Sequence, residues 1–281
     1  MSHYITLKAG KERKKHYENF PVATLLYPKK IREAVIIFYQ FARIGDDIAD
    51  EGIFSKKQRL KKLQIYQKNL NKIKKNNLNV NSLFLDIYQI INQYQISTNL
   101  LQKFIDAFKQ DIINNRYNNF NELINYLNKA AAPAGQIILR LFKEDSKQNI
   151  IYSNSICQAF ALIGISQDFY EDILKDRLYI PKSEMKKFNL NISDIHEKKF
   201  NANWKLFKAS WLKQIEIILS EGKPLISNTN GRLRLQIKIM IGAVNLLISR
   251  MKNEECDLFI NPPKLSKIDW LVLFYRCILT K

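Results

Sequence analysis

The sequence predicts an all-α protein, and two observations carry that prediction. Apolar residues recur at helical spacing in nine segments, and turn formers are scarce. Eight glycines and seven prolines amount to about 5% of 281 residues, against a usual share near 12%. A fold of many short strands needs more tight turns than that. A chain of this length can bury roughly three quarters of its extended surface in one core and lies near the upper size of a single domain. No repeat, Pro/Ser-rich linker or composition break divides it, so residues 1–281 read as one large helical domain.

The periodic segments run over 29–50, 56–75, 81–94, 98–118, 121–142, 147–173, 203–220, 231–253 and 266–279. The first follows Pro28 and carries the apolar stripe Ile31, Val35, Phe38 and Ala42; Gly52 separates it from the second. The second holds Leu60, Leu63, Leu70 and Ile73 beneath a dense lysine run, Lys56 to Lys75, the pattern of a solvated helix face. Pro133 and Gly135 fall inside the fifth and predict a kink or break there. The Pro181 turn, the Gly222 to Pro224 stretch and the pair Pro262, Pro263 separate the later segments. The last, with WLVLFYRCIL at 270–279, reads as a buried terminal helix, with membrane contact as the alternative.

Forty-five Lys and Arg against 26 Asp and Glu give a formal charge of +19. Such an excess suits an anionic membrane or nucleic acid, yet Lys, Asn and Ile together are what A+T-rich codons supply. No nucleic-acid motif with interleaved aromatics accompanies the charge, so nucleic acid is not expected as a partner. Cys157, Cys256 and Cys277 are too few for a disulfide framework, and His3, His16 and His196 lack ligand spacing. With no apolar h-region behind the basic N-terminus and no run of roughly 18 apolar residues, a cytoplasmic protein is expected.

The informative chemistry begins in segment 29–50. Tyr39, Arg43, Asp46, Asp47 and Asp50 recur at i, i+4, i+7, i+8 and i+11, which places them along one helix face. Three neighbouring carboxylates repel one another unless they are solvated or share a divalent cation, and oxygen ligands suit Mg²⁺. A lone D-D-x-x-D arises by chance in roughly one chain of this length in twenty. A second acidic face, however, stands at QDFYED, where Asp168, Glu171 and Asp172 are spaced i, i+3 and i+4. The turn after it adds Lys175, Arg177 and Tyr179. Facing each other across a bundle core, the two acidic faces would clamp Mg²⁺ on a diphosphate while Arg43, Lys175 and Arg177 pair with its oxygens.

These residues resemble the squalene and phytoene synthases, most closely the bacterial hydroxysqualene synthase branch. The resemblance rests on HYENFPVA at 16–23, FARIGDDIADEG at 41–52, DAFKQD at 106–111, RYNNF at 116–120, APAG at 132–135, QDFYED with DRLYIP, and PPKLSKIDWLVLFYR at 262–276. It spans about residues 16–280. It implies an isoprenoid-synthase helical bundle with a central cavity, in which Asp46, Asp50, Asp168 and Asp172, with Asp47 beside them, organise Mg²⁺ and an allylic diphosphate. Arg43, Lys175, Arg177 and Tyr179 would contact the leaving group, while Tyr39 and Phe20 would line the pocket near a developing cation. Small residues at Ala130 to Ala132, Ala134 and Gly135 would leave room for a long isoprenoid chain, or equally pack a helix kink.

Two departures weaken the second motif. Relatives usually show Asn where Gly164 stands and Gln where Ala161 stands. The expected reaction converts presqualene diphosphate and water to hydroxysqualene and diphosphate, in squalene and hopanoid biosynthesis. The alternatives are head-to-head condensation of prenyl diphosphates to presqualene diphosphate, squalene or phytoene, or a noncatalytic binding or assembly factor. No G-x-G pair occurs among the glycines, so a Rossmann-type nicotinamide loop is not expected. The expected partners are a prenyl diphosphate substrate, the inner membrane face as a peripheral contact, and other enzymes of squalene biosynthesis.

Overall fold

The computed structural model describes residues 26–114 and 116–279. Phe20 and the HYENFPVA stretch therefore lie outside the described residues. Those described form helices and turns without a strand. In chain order the helices are α1 (Lys29–Asp50), α2 (Lys56–Lys74), α3 (Ser82–Tyr94), α4 (Thr98–Ile113), α5 (Phe120–Ala130), α6 (Ala132–Leu141) and α7 (Lys147–Gln167). There follow α8 (Phe169–Leu174), α9 (Lys182–Lys187), α10 (Ile192–His196), α11 (Ala202–Gly222), α12 (Leu225–Asn228), α13 (Gly231–Met251) and α14 (Lys267–Leu279).

Local chemistry sets many of these boundaries. Ser55 and Gln58 form a reciprocal capping box at the start of α2, and Asn81, Asn119, Ser146 and Asn201 accept backbone N–H bonds at the starts of α3, α5, α7 and α11. At the end of α1 the Arg59 guanidinium satisfies orphan carbonyls, donating to those of Ala49, Gly52 and Phe54. That contact fixes α2 against the acidic end of α1.

Two apolar clusters share α6. One spans α1, α2, α3 and α4, its first three helices meeting at Phe41, Tyr66 and Phe84, whose ring centroids lie 4.9 to 5.9 Å apart. The other surrounds α7, α11 and α13, with Trp204, Phe207 and Trp211 buried at its centre. Ile137 of α6 points into the first and Leu139 into the second. Full burial of each large side chain stabilises the fold by about 1.5–3 kcal/mol.

The break expected at Pro133 and Gly135 falls slightly earlier, at Ala131, so that Pro133 occupies the first turn of α6. Segment 147–173 is two helices rather than one, segment 98–118 ends as helix at Ile113, and α9, α10 and α12 are short helices that periodicity did not detect. Among the described residues no helix is long and apolar enough to cross a membrane. The terminal helix overturns the reading of a buried core helix: Leu273 is its single buried residue.

Candidate functional site

The acidic ends of α1 and α7 meet at a cleft of about 520 Å³. Arg43 and Asp50 line it from α1; Ala161, Gly164, Asp168 and Asp172 from α7 and α8; Lys175, Arg177 and Tyr179 from the turn beyond; and Tyr126 and Ala130 from α5. The structure thus brings Arg43, Asp50, Asp168, Asp172, Lys175, Arg177 and Tyr179 together, from positions far apart in sequence. Tyr39, Asp46 and Asp47 stay on the same stretch of α1 but do not line this wall.

How α8 ends determines where the cations go. Asp168 interrupts the helix at φ −109° and ψ 10°, and its N–H is held by the carbonyls of Gly164 and Ile165. The chain restarts as α8, six residues anchored by buried Phe169 and Ile173. A Schellman motif then closes it: the Arg177 N–H donates to the Asp172 carbonyl at 2.8 Å and the Asp176 N–H to that of Ile173 at 3.0 Å. Asp176 takes the left-handed position at φ 56°, which aspartate tolerates better than most residues. From outside, Arg116 clamps it, donating to its carbonyl at 2.8 Å and its carboxylate at 2.6 Å.

The motif turns Arg177 back over the cleft. Its guanidinium lies 2.8 Å from Asp50 and 3.8 Å from Asp172, bridging the two acidic faces. Burial disfavours its charge, but Asp50 and Asp172 hold the group firmly protonated. On α1, Arg43 pairs with Asp47 at 2.7 Å and approaches Asp46 at 3.7 Å. Lys175 stands 3.8 Å from Glu51.

Even with these partners the carboxylates carry excess negative charge. Burial, opposed by Arg177 and reinforced by Asp168, pushes Asp172 up to about 7. Burial and the neighbouring Asp50 also raise Asp46, against the pull of Arg43 and Arg177. Desolvation raises Asp168, against Lys264. Among the described residues no three His, Cys, Asp or Glu side chains converge on a ready-made metal position. The donor set is instead several hard oxygens around an open cleft, with charge that a divalent cation would compensate. That fits Mg²⁺, which keeps waters and shares a substrate phosphate rather than filling an all-protein cage.

Sequence reasoning missed two residues here. Asp111 of α4 is a half-buried carboxyl that accepts hydrogen bonds from Tyr126 at 3.0 Å and Tyr179 at 3.3 Å. Burial, opposed by the Tyr126 bond, pushes it up to about 7. Tyr117, Tyr126 and Tyr179 form a cluster with ring centroids 5.5 to 5.9 Å apart, a wall of aromatic faces beside the acids. Asp111 closes the DAFKQD stretch, whose spacing alone marks no partner for it; in sequence Tyr126 reads like any core aromatic.

Behind the cleft a second, apolar space of about 170 Å³ lies between α6, α7 and α13. Cys157 and Ser153 line it at seven and eleven residues before Gly164, on the same face of α7 and about 10 and 16 Å deeper. Gly135 lines it from α6; a Cβ there would collide with Ser153 Oγ and Cys157 Sγ. The small residues at 134 and 135 therefore serve both readings, close helix packing and room beside it.

The squalene/phytoene synthase family model matches residues 13–269. A hydroxysqualene synthase of Zymomonas mobilis is 31% identical over 217 residues, covering 76% of this chain and 69% of its own. One from Sinorhizobium fredii is 24% identical, covering 84% and 80%. Squalene synthase HpnC of Alicyclobacillus acidocaldarius superposes with a TM-score of 0.78 at 22% identity, covering 88% of this chain and 91% of its own. A dehydrosqualene synthase superposes at 0.80 and 17% identity, covering 90% and 88%. The match over most of the length, on a helical fold whose two acidic segments line one cleft, means that the chain belongs to the squalene/phytoene synthase family.

Proposed function

We propose that the chain is a Mg²⁺-dependent carbon–oxygen lyase that converts presqualene diphosphate and water to hydroxysqualene and diphosphate, in squalene and hopanoid biosynthesis. The observation that carries the reading is the Arg177 bridge between the acidic ends of α1 and α8, at the mouth of a cleft backed by an apolar cavity. Asp46, Asp50, Asp168 and Asp172, with Asp47 beside them, would hold the cation, which supplies Lewis-acid stabilisation of a diphosphate leaving group.

The chain's own residues do the rest. Arg43, Lys175 and Arg177 pair with diphosphate oxygens as the C–O bond breaks and its electron pair departs with the leaving group. The faces of Tyr126 and Tyr179 stabilise the resulting carbocation, and the apolar wall keeps bulk water from it until rearrangement is complete. One water then adds its oxygen to the cation and passes a proton to the released diphosphate. Tyr39, half-buried on α1, and Phe20 keep their places as pocket residues in this proposal.

Head-to-head condensation of two prenyl diphosphates uses the same groups. The bare wall at Ala161 and Gly164 favours, as a further reading, a binding or assembly factor without turnover. Product analysis with presqualene diphosphate and farnesyl diphosphate in parallel separates them. Hydroxysqualene from the first alone is the expected result; presqualene diphosphate from the second, or squalene once a hydride donor is supplied, supports condensation, and no product from either supports the factor. The reading includes a cytoplasmic enzyme working at the inner membrane face beside other enzymes of squalene biosynthesis.

A further inference from the structure

Helix α14 carries an apolar stripe that nothing among the described residues covers. Ile268, Leu271, Val272, Tyr275, Ile278 and Leu279 follow the i, i+3, i+4, i+7, i+10, i+11 pattern of one helix face, and each is between 42% and 80% exposed. The opposite face packs on α13, where Leu273 Cδ2 lies against Gly242, with Trp270 and Phe274 half-buried beside it. The stripe is thus additional to the core contact. Its 13 described residues extend about 20 Å, a length suited to lying along a bilayer surface.

The rim of the stripe is cationic. Lys264 and Lys267 precede it, Arg276 rides on it, and Lys238 of α13 stands beside Cys277. The helix's one acid, Asp269, is already engaged by Arg250 at 2.5 Å. The segment leading into α14 also borders the acidic cleft: Gln167 donates to the Pro263 carbonyl at 2.6 Å, and Lys264 lies near enough to Asp168 to favour its ionised form. One end of the stripe is therefore next to the opening through which a long-chain diphosphate would enter.

We infer that α14 is an interfacial helix that seats the protein on an anionic bilayer, its stripe among the acyl chains and its flanking cations on the headgroups. Charge selects this occupant. A second copy would bring the same cations face to face on a chain of net charge +19. Residues 1–25 bring five Lys or Arg against two Glu, so they too are poorly matched to a cationic rim. The inference relies on the proposed reaction only for the value of such docking to an amphiphilic substrate.

Cosedimentation of the full chain with vesicles tests it without substrate. Binding to vesicles containing phosphatidylglycerol is expected at about 50 mM salt, weakening at about 500 mM, with little binding to pure phosphatidylcholine. Leu271→Glu with Ile278→Glu, both at exposed positions, should lower binding about tenfold or more at an unchanged melting temperature. Lys267→Glu should lower it less, by about fivefold. Equal binding to both lipids, no binding, or full binding by the double variant overturns the inference. So does a dimer, seen by light scattering, that the double variant dissociates. Turnover of detergent-dispersed presqualene diphosphate is read in parallel: its absence alongside intact vesicle binding counts against the proposed reaction and leaves the docking surface standing.

Discussion

Arg177 donates to Asp50 at 2.8 Å across 127 residues of sequence, with side chains only 11% and 16% exposed. This contact is the shorter of two ion pairs, with Lys175–Glu51, that join the first acidic segment to the turn following the second. Removing one member leaves a mostly buried carboxylate without its cation, which typically costs about 3–5 kcal/mol for a buried pair. Arg177→Gln is therefore expected to destabilise the protein by about 2–4 kcal/mol in urea unfolding and to abolish turnover. Full stability in this variant would mean that the bridge does not organise the cleft.

Asp46→Asn and Asp168→Asn should separate stability from activity. Each removes a charge that burial already disfavours, so the melting temperature at pH 8 without divalent cation should hold or rise. Turnover should fall by about 100-fold or more, since the lost charge is needed at the leaving group. Wild-type turnover in both variants would remove these carboxylates from the mechanism.

The pH dependence has a definite sign. Asp111 and Asp172 are held near 7, whereas in the unfolded chain they titrate near 4. Between those values the native state keeps protons that the unfolded state has released. Stability from these groups is therefore complete below about pH 4 and is lost as pH rises through about 7, by at most about 1.4 kcal/mol per pH unit for each group. A divalent cation binds the ionised form, so the Mg²⁺-induced rise in melting temperature should be larger at pH 8 than at pH 6. An equal rise at both, measured by calorimetry, would contradict the proposed coupling.

At Gly164 a side chain has room, because an added Cβ meets no atom within 4 Å. Asparagine also costs a helix a few tenths of a kcal/mol less than glycine. Gly164→Asn should fold normally and tighten Mg²⁺ binding severalfold, as measured by titration calorimetry. An unchanged affinity would show that the cleft functions without an amide at that position.

The sequence was informative where one helix carried its own pattern. The face from Tyr39 to Asp50 could be placed because a 3.6-residue period fixes neighbours without knowledge of the rest of the fold. The same logic failed at Asp168: QDFYED has no proline or glycine, and the break comes from the way Phe169 and Ile173 are drawn into the core. Asp111 and Tyr126 stayed hidden for another reason. A single carboxylate and a single tyrosine on separate helices gain meaning only once α4 and α5 set them 3.0 Å apart. The final helix was misread because an apolar stripe on an outer helix has the same composition as one in a core.

The interruption at Asp168 divides the second acidic motif between two pieces of the fold. Asp168 belongs to the end of α7, a 21-residue helix packed between α6 and α11, whereas Asp172 and Arg177 are carried by a helix of six residues and its closing turn. Asp172 and Arg177, 3.8 Å apart, are thus carried by one piece and Asp168 by another. The first aspartate of one motif accordingly takes its position from the core of the bundle, and the last from a turn that Arg116 and Asp50 pin from either side.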